Sequence, residues 1–353
     1  MKGSGIGGQA VMEGIMMKNG DRYAVGVRRP DKEIIVKTSE YPSYIKGKKV
    51  LSLPFVRGVF NFVDSLVLGM KTLTYSAGFF EDEEEEQKPE KEPSKLEKKL
   101  DAFLDTKKGM DILMGITIAI SLVFSIALFV LVPYFASTLL KKVTDNMTVI
   151  VTVEGILKMI IFLGYIYAIS RMKDIQRVFM YHGAEHKCIN CIEHGLELNV
   201  ENVMKSSREH KRCGTSFLLI VMVVSVFIHM FVRVDSRALG FAIRILLLPV
   251  VAGVSYEFIR LAGSSENRFV AALSRPGMML QHMTTREPQA GMVEVAIAAV
   301  EAVFDWKKFL NENFDAHYEL TEREYVCGEF LVREGGRLMP IEAKETLDAK
   351  VKA

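Results

Sequence analysis

Cysteine is scarce in this chain: four residues among 353, at positions 188, 191, 213 and 327. Their spacing forms no disulfide framework, which excludes a small secreted scaffold stapled by bridges and points to a reducing compartment. A basic stripe with interleaved aromatics is also missing, so nucleic acid is not an expected partner. The opening residues, MKGSGIGGQAVMEGIMMKNGD, are punctuated by glycine and hold no apolar run long enough for a cleavable signal peptide. What the chain has in excess is apolar character. Hydrophobic residues make up 49% and mean hydropathy is positive, too high for an ordinary soluble domain of this length. The net charge of +2 hides strong segregation, because EDEEEEQKPEKEP at 81–93 gathers acid into one linker expected to be disordered.

Four stretches are long and apolar enough to read as membrane-crossing helices, which need about 20 residues. They are Ile112–Leu140, Val149–Ser170 with Glu154 and Lys158 one turn apart, Gly214–Val232, and Ala238–Ile259 with Arg244, Pro249 and Glu257. The segment between the second and third carries Arg171, Lys173, Arg177, Lys187, Lys205, Arg208, Lys211 and Arg212. Lysine and arginine stay on the cytoplasmic side, which places the 171–213 loop and both termini there.

The remainder reads as a cytoplasmic collar. Tyr23–Val27 and Ile34–Lys37 flank a Pro-Asp turn and predict a hairpin. Residues 55–80 set Arg57, Asn61, Asp64, Ser65, Lys71 and Thr72 on one helical face opposite Phe, Val and Leu, a helix expected to lie on the membrane or pack against the bundle. Ser94 and Glu97 form a capping box that opens a short interfacial helix. Gly291–Leu310 predicts one helix, and Tyr325–Pro340 holds strand-like pieces around Gly335-Gly336. The glycine-rich start lacks the ending of a phosphate loop and is expected to be a flexible approach to the hairpin. The expected fold class is an all-α membrane core, a four-helix transmembrane bundle, with a cytoplasmic α+β collar that includes a small β-hairpin. Its parts are 1–80 (N-terminal region), 81–93 (linker), 94–110 (interfacial helix), 111–260 (bundle with the histidine-rich loop) and 261–353 (C-terminal region).

The chemistry concentrates in YHGAEHKCINC, residues 181–191. On a helix, His182 and His186 share a face and Glu185 lies beside them. Two imidazoles can hold one zinc while the carboxylate takes a proton from water, the H-x-x-E-H order of the inverted zincins. A third donor is needed. The same segment offers Glu193, His194, Glu201, His210 and Cys213; His210 is the first choice and Glu201 the second. The blander reading is a polar helix end solvated at the headgroups. A rival uses Cys188, Cys191, His210 and Cys213 as a closed zinc ribbon, although a helix through His186 would strain its Cys-x-x-Cys turn. Glu257 either faces the histidines or snorkels to the interface. Thr284–Pro288 reads as a binding loop or as a helix cap and turn.

Four blocks then carry a resemblance: GGQAVMEGIMMK (7–18), YHGAEHKCI (181–189), HKRCGTSFL (210–218) and MMLQHMTTREP (278–288). Together they resemble the YqhQ-like bacterial integral membrane proteins, described as predicted metal-dependent enzymes. The resemblance implies a metal site and a bacterial inner-membrane location. Residue by residue it marks His182, Glu185, His186, Glu193, Glu201, His210 and Cys213, with Gln281, Arg286 and Glu287 further on as a binding loop. The chain departs from the family pattern at Lys211, where the family has proline, and at Cys188 and Cys191, which weighs against the ribbon.

The resulting expectation is a multi-pass membrane metalloprotein holding one divalent cation, zinc first, on His182, His186 and His210, with Glu185 as general base. It would hydrolyse a membrane-proximal peptide, lipid head group or similar bond at the cytosolic surface. The alternatives are a non-enzymatic scaffold or assembly factor with a structural cation, whose collar and linker recruit a protein partner, and a transporter, which would need homo-oligomers.

Overall fold

The structure is a computed structural model that describes residues 2–45, 48–80, 106–210, 213–232, 234, 236–264, 267–320, 325–332 and 338–340. The acidic linker and the Ser94–Glu97 capping box lie outside the described residues. Two compact units divide the chain: Met1–Glu81, Ile166–Ile220 and Ala252–Ala353 form the first, Asp82–Tyr165 and Val221–Val251 the second.

The first unit is built on an antiparallel sheet of six strands in simple meander order: β1 (Gly7–Val11), β2 (Gly14–Asn19), β3 (Arg22–Arg28), β4 (Ile34–Glu40), β5 (Gly328–Val332) and β6 (Leu338–Pro340). The predicted hairpin is the β3–β4 pair, with Val25 opposite Lys37 and Val27 opposite Ile35. It is part of a larger sheet, because Ile35 and Lys37 also pair with Leu331 and Glu329 from the far end of the chain. Side chains alternate between faces along a strand, and here both faces are covered. Ile15, Met17, Ala24 and Val36 join one core with α5 (Lys173–Glu193) and α11 (Ala290–Val303). Met16, Tyr23, Val25 and Val27 join a second with Leu68 of α1 (Val56–Ala77). The glycine-rich start is therefore no flexible approach: Gly7 and Gly8 are strand residues.

The predicted helix over Gly291–Leu310 is two helices. α11 stops at Val303, Phe304 is extended, and the Asp305 side chain accepts from the Lys308 N–H at 2.9 Å to open α12 (Trp306–Phe314). A short α6 (Val200–Lys205), capped by Asn199, packs on α5. The first unit also holds α10 (Arg268–Thr284).

The second unit is helical. α2 (Lys107–Ile126) is capped by Thr106 and runs through a π-helical turn at Ala127–Leu131 into α3 (Val132–Leu139). α4 (Met147–Ile169) and α8 (Arg237–Leu246) carry the charges: Glu154 is paired with Arg244 at 2.7 and 3.0 Å and with Lys158 at 2.9 Å, all three buried. A chain that buries three charges in apolar helices has to pair them, and this triad does so.

Among the described residues, three helical segments are long and apolar enough to cross a membrane: Gly115–Ser137, Met147–Ile169 and Ala238–Leu261, the last made of α8 and the start of α9 (Leu248–Ser264). The expected span at Gly214–Val232 is shorter than it reads in sequence. Its helix, α7 (Gly214–His229), has 16 residues. At 1.5 Å per residue it reaches about 24 Å against a hydrocarbon core of about 30 Å.

Candidate metal centre

Helix α5 is buried almost without interruption from Tyr181 to Glu193. So many polar residues inside a protein need partners, and each one described here has them. Lys187 donates to the carbonyls of Met204 and Ser206 at 2.8 Å each and pairs with Glu287 at 3.0 Å. Asn190 donates to the carbonyls of Ser207 and Glu209 at 2.7 and 2.8 Å. These two side chains hold the 204–210 segment against the helix. Gln281 of α10 completes the restraint, accepting from the His210 N–H at 2.9 Å and donating to its carbonyl at 2.7 Å.

The two motif histidines stand on adjacent turns with ring centroids 4.4 Å apart. His182 Nδ1 lies 2.8 Å from the Thr284 carbonyl, and His186 Nδ1 lies 2.6 Å from the Arg208 carbonyl. A carbonyl can only accept, so both Nδ1 atoms carry the proton and both Nε2 lone pairs stay available. A carbonyl on Nδ1 fixes the tautomer and orientation that a metal-binding imidazole needs. Cys213 supplies the third atom: its Sγ is 3.3 Å from His182 Nε2, and the donor atoms of His182, His186 and Cys213 all lie within 4.8 Å of one another. Cys213 and His186 are buried and His182 is half-buried.

Burial lowers the basicity of His186 below the usual imidazole range, although the Cys213 side chain pulls the other way; the direction favours the neutral ring that a ligand requires. Burial raises the carboxyl of Glu185 above the usual range, opposed by His182 and by the hydrogen bond it accepts from the Gly8 N–H. Strand β1 can approach that carboxyl because residue 8 has no side chain. A Cβ there would sit 3.0 Å from Glu185 Cδ and 2.6 Å from the Met16 carbonyl oxygen.

The buried His210 ring lies beside His186, with centroids 5.7 Å apart, and its Nε2 faces Glu193 at 3.5 Å; Glu193 also accepts from the Ser4 N–H and hydroxyl at 2.8 Å each. Cys213, three residues on, brings its Sγ within 4.8 Å of the His182 and His186 donor nitrogens. Glu201 is exposed and paired with Lys205 along its own helix. Glu257 faces Arg57, in bidentate bonds of 2.5 and 2.7 Å. The Arg286 N–H donates to the Phe179 carbonyl of α5 at 2.8 Å and its side chain to the Ser170 carbonyl at 3.0 Å, so Thr284–Glu287 straps α5. Cys188 and Cys191 are core residues of α5, and burial pushes the Cys191 thiol up to about 11. Among the described residues, the one group of donors close enough to hold a cation is His182, His186 and Cys213. Two imidazoles and a thiol form a donor set that suits zinc.

Residues 53–306, which hold all three donors, match the family described as "Protein of unknown function (DUF1385)". The chain belongs to the DUF1385 family. A relative in Bacillus subtilis (strain 168), "Uncharacterized protein YqhQ", is 35% identical over 317 residues, covering 87% of this chain and 94% of the relative. No solved structure matches the chain. The DUF1385 match starts after β4, so the strand that brings Gly8 to Glu185 lies outside it. Neither description carries a ligand or a reaction, and the chemistry of this DUF1385 site rests on its own donor atoms.

Proposed function

We propose that the chain is an integral membrane metalloprotein that binds one divalent cation, zinc by preference, through His182 Nε2, His186 Nε2 and Cys213 Sγ. The observation that carries this reading is the convergence of three donor atoms within 4.8 Å, with both Nδ1 atoms already committed to carbonyls. His182, His186 and Cys213 would hold the ion with three protein donors, the number found in catalytic zinc sites. The ion would supply acidification of water and polarisation of a carbonyl or phosphoryl oxygen.

Glu185 is the group placed to take up a proton, with its carboxylate anchored by the Gly8 N–H and close to His182. The reaction class is hydrolysis of a membrane-proximal bond. The basic residues of 171–208 favour the cytoplasmic side of the membrane for the site. The 3.3 Å separation of Cys213 Sγ and His182 Nε2 also suits a thiol–imidazole nucleophile pair. The second imidazole, His186, favours the cation.

Elemental analysis of the purified full chain tests this reading. About one equivalent of zinc is expected, as for a three-ligand site. It should be lost in His186→Ala and weakened in Cys213→Ser, and cobalt-loaded protein should lose its thiolate charge-transfer absorption in Cys213→Ser. Glu185→Gln should keep the metal and fail to complement a deletion strain. A chain that purifies without metal and takes up none overturns the proposal. Full complementation by Glu185→Gln removes hydrolysis and leaves a scaffold with a structural cation.

A further inference from the structure

We infer that α1 is an in-plane membrane anchor whose outer face lies in the acyl–headgroup boundary of the bilayer. This inference is independent of the metal reading. In a water-soluble domain an amphipathic helix turns its apolar stripe inward and its polar face out. Helix α1 is inverted. Its buried positions are Gly58, Leu68, Gly69, Thr72 and Ser76. Its exposed ones include Val63, Leu66, Val67, Met70 and Leu73, with Leu66 and Val67 each 52% exposed. These five recur at intervals of three and four residues and form one continuous stripe, too ordered to be scattered surface apolars.

The inward face is fixed by specific contacts. Gly69 packs against the Gln9 side chain of β1, and Ser76 Oγ accepts from the Met12 N–H at 3.1 Å. The helix therefore cannot roll to hide its stripe without breaking its bonds to the sheet.

What covers the stripe follows from where α1 begins. Its first turns are clamped to the end of the Ala238–Leu261 segment, which is long and apolar enough to cross a membrane. Arg57 grips Glu257 in two bonds, Asn61 donates to the Tyr256 hydroxyl at 2.7 Å, and Gly58 packs on Tyr256 and Gly253. A stripe docked to the end of a membrane span lies at bilayer level. Phe55, just before the helix, holds φ at +67°, a conformation rare for a bulky residue. Its N–H donates to Glu257 at 3.3 Å, and its carbonyl packs so closely on Gly253 that a Cβ there would sit 2.5 Å away. The strained turn leaves Phe55 55% exposed, next to the exposed Val56. Lys71 of α1 is exposed, and exposed Lys48 lies over the Tyr44 ring that stacks on Phe60 of α1, while Asp64 is occupied by Ser43 and the Tyr44 N–H. The partner is therefore lipid, with an anionic component.

The test uses the full chain carrying Cys327→Ser, which removes the one exposed thiol among the described residues. Single cysteines introduced at Val63, Ser65, Leu66, Val67, Met70, Lys71 and Leu73 are spin-labelled, and the protein is reconstituted in phosphatidylethanolamine–phosphatidylglycerol vesicles. Oxygen, which partitions into lipid, should reach labels at 63, 66, 67, 70 and 73 best, while a water-soluble nickel chelate should reach them least. The accessibility should follow a period of about 3.6 residues. A stripe open to the chelate, or one shielded from both reagents by a second copy or another protein, overturns the inference. Because all seven positions are exposed, loss of folding does not confound the readout, and retained metal or cellular function is irrelevant to it.

Discussion

Gly183 sits between the two motif histidines, and replacing it with alanine sets two effects of opposite sign against each other. In an ordinary exposed helix interior, Gly→Ala stabilises by about 1 kcal/mol. Here a Cβ would overlap the Arg286 carbonyl oxygen and lie 3.2 Å from its carbon. The obstacle is backbone, so no side chain can swing away. The 284–286 strap would have to retreat by about 1 Å, which takes a 2.8 Å hydrogen bond past the useful limit of about 3.5 Å. Two such bonds anchor the strap: Arg286 N–H to the Phe179 carbonyl, and His182 Nδ1–H to the Thr284 carbonyl, each 2.8 Å. Losing them costs about 1 kcal/mol each, and overpacking adds about 1–3 kcal/mol. Subtracting the gain in helix propensity leaves a net loss of about 2–4 kcal/mol. At roughly 2–4 °C per kcal/mol for a chain of this size, the melting midpoint in detergent should fall by about 4–16 °C at a fixed scan rate. Amide exchange at Arg286 should quicken, and metal retention should weaken because His182 loses its orienting carbonyl. An unchanged or raised midpoint with Arg286 still protected would refute the close contact and the assignment of the 284–286 segment as the support of His182.

Lys187→Met should strand the Met204 and Ser206 carbonyls, costing about 2–5 kcal/mol; limited proteolysis should then cut within 204–210, where the natural chain is protected. In the second unit, Glu154→Leu should destabilise by about 3–5 kcal/mol by leaving Arg244 and Lys158 unpaired, whereas the triple leucine replacement of all three should recover most of the loss in reconstituted unfolding assays. Thiol labelling of the folded chain at pH 8 should stop at about one equivalent, on Cys327, because Cys188, Cys191 and Cys213 are buried. With the Cys191 thiol near 11, labelling there should remain slow until the pH approaches that value.

The site was partly legible in the sequence because helical spacing is a local rule: His182, Glu185 and His186 could be placed on one face before any fold was known. The third donor was left between His210, Glu201 and Cys213, because the course of residues 204–210 is set by Lys187, Asn190 and Gln281 gripping backbone carbonyls and amides that every residue type possesses. The carbonyls of Thr284 and Arg208 leave no trace in composition for the same reason. In the fold, β3 and β4 were readable from their β-branched runs. β1 and β2, rich in Gly and Met, were not, and neither was the pairing of β4 with β5 across some 290 residues. The 55–80 helix was recognisable from its periodicity, but the direction of its apolar face was a property of the sheet and the span it docks on.

Chain order imposes a timetable on the meander. β4 emerges from the ribosome early, yet the strand that closes its outer edge, β5, begins at Gly328. Everything destined for the bilayer is synthesised in between. At about 5–20 residues per second, that edge waits roughly 15–60 s with its amides and carbonyls exposed to any passing strand. Insertion must therefore proceed beside a half-built sheet, and a truncation that removes the last strands would be expected to surface first as aggregation in the cell.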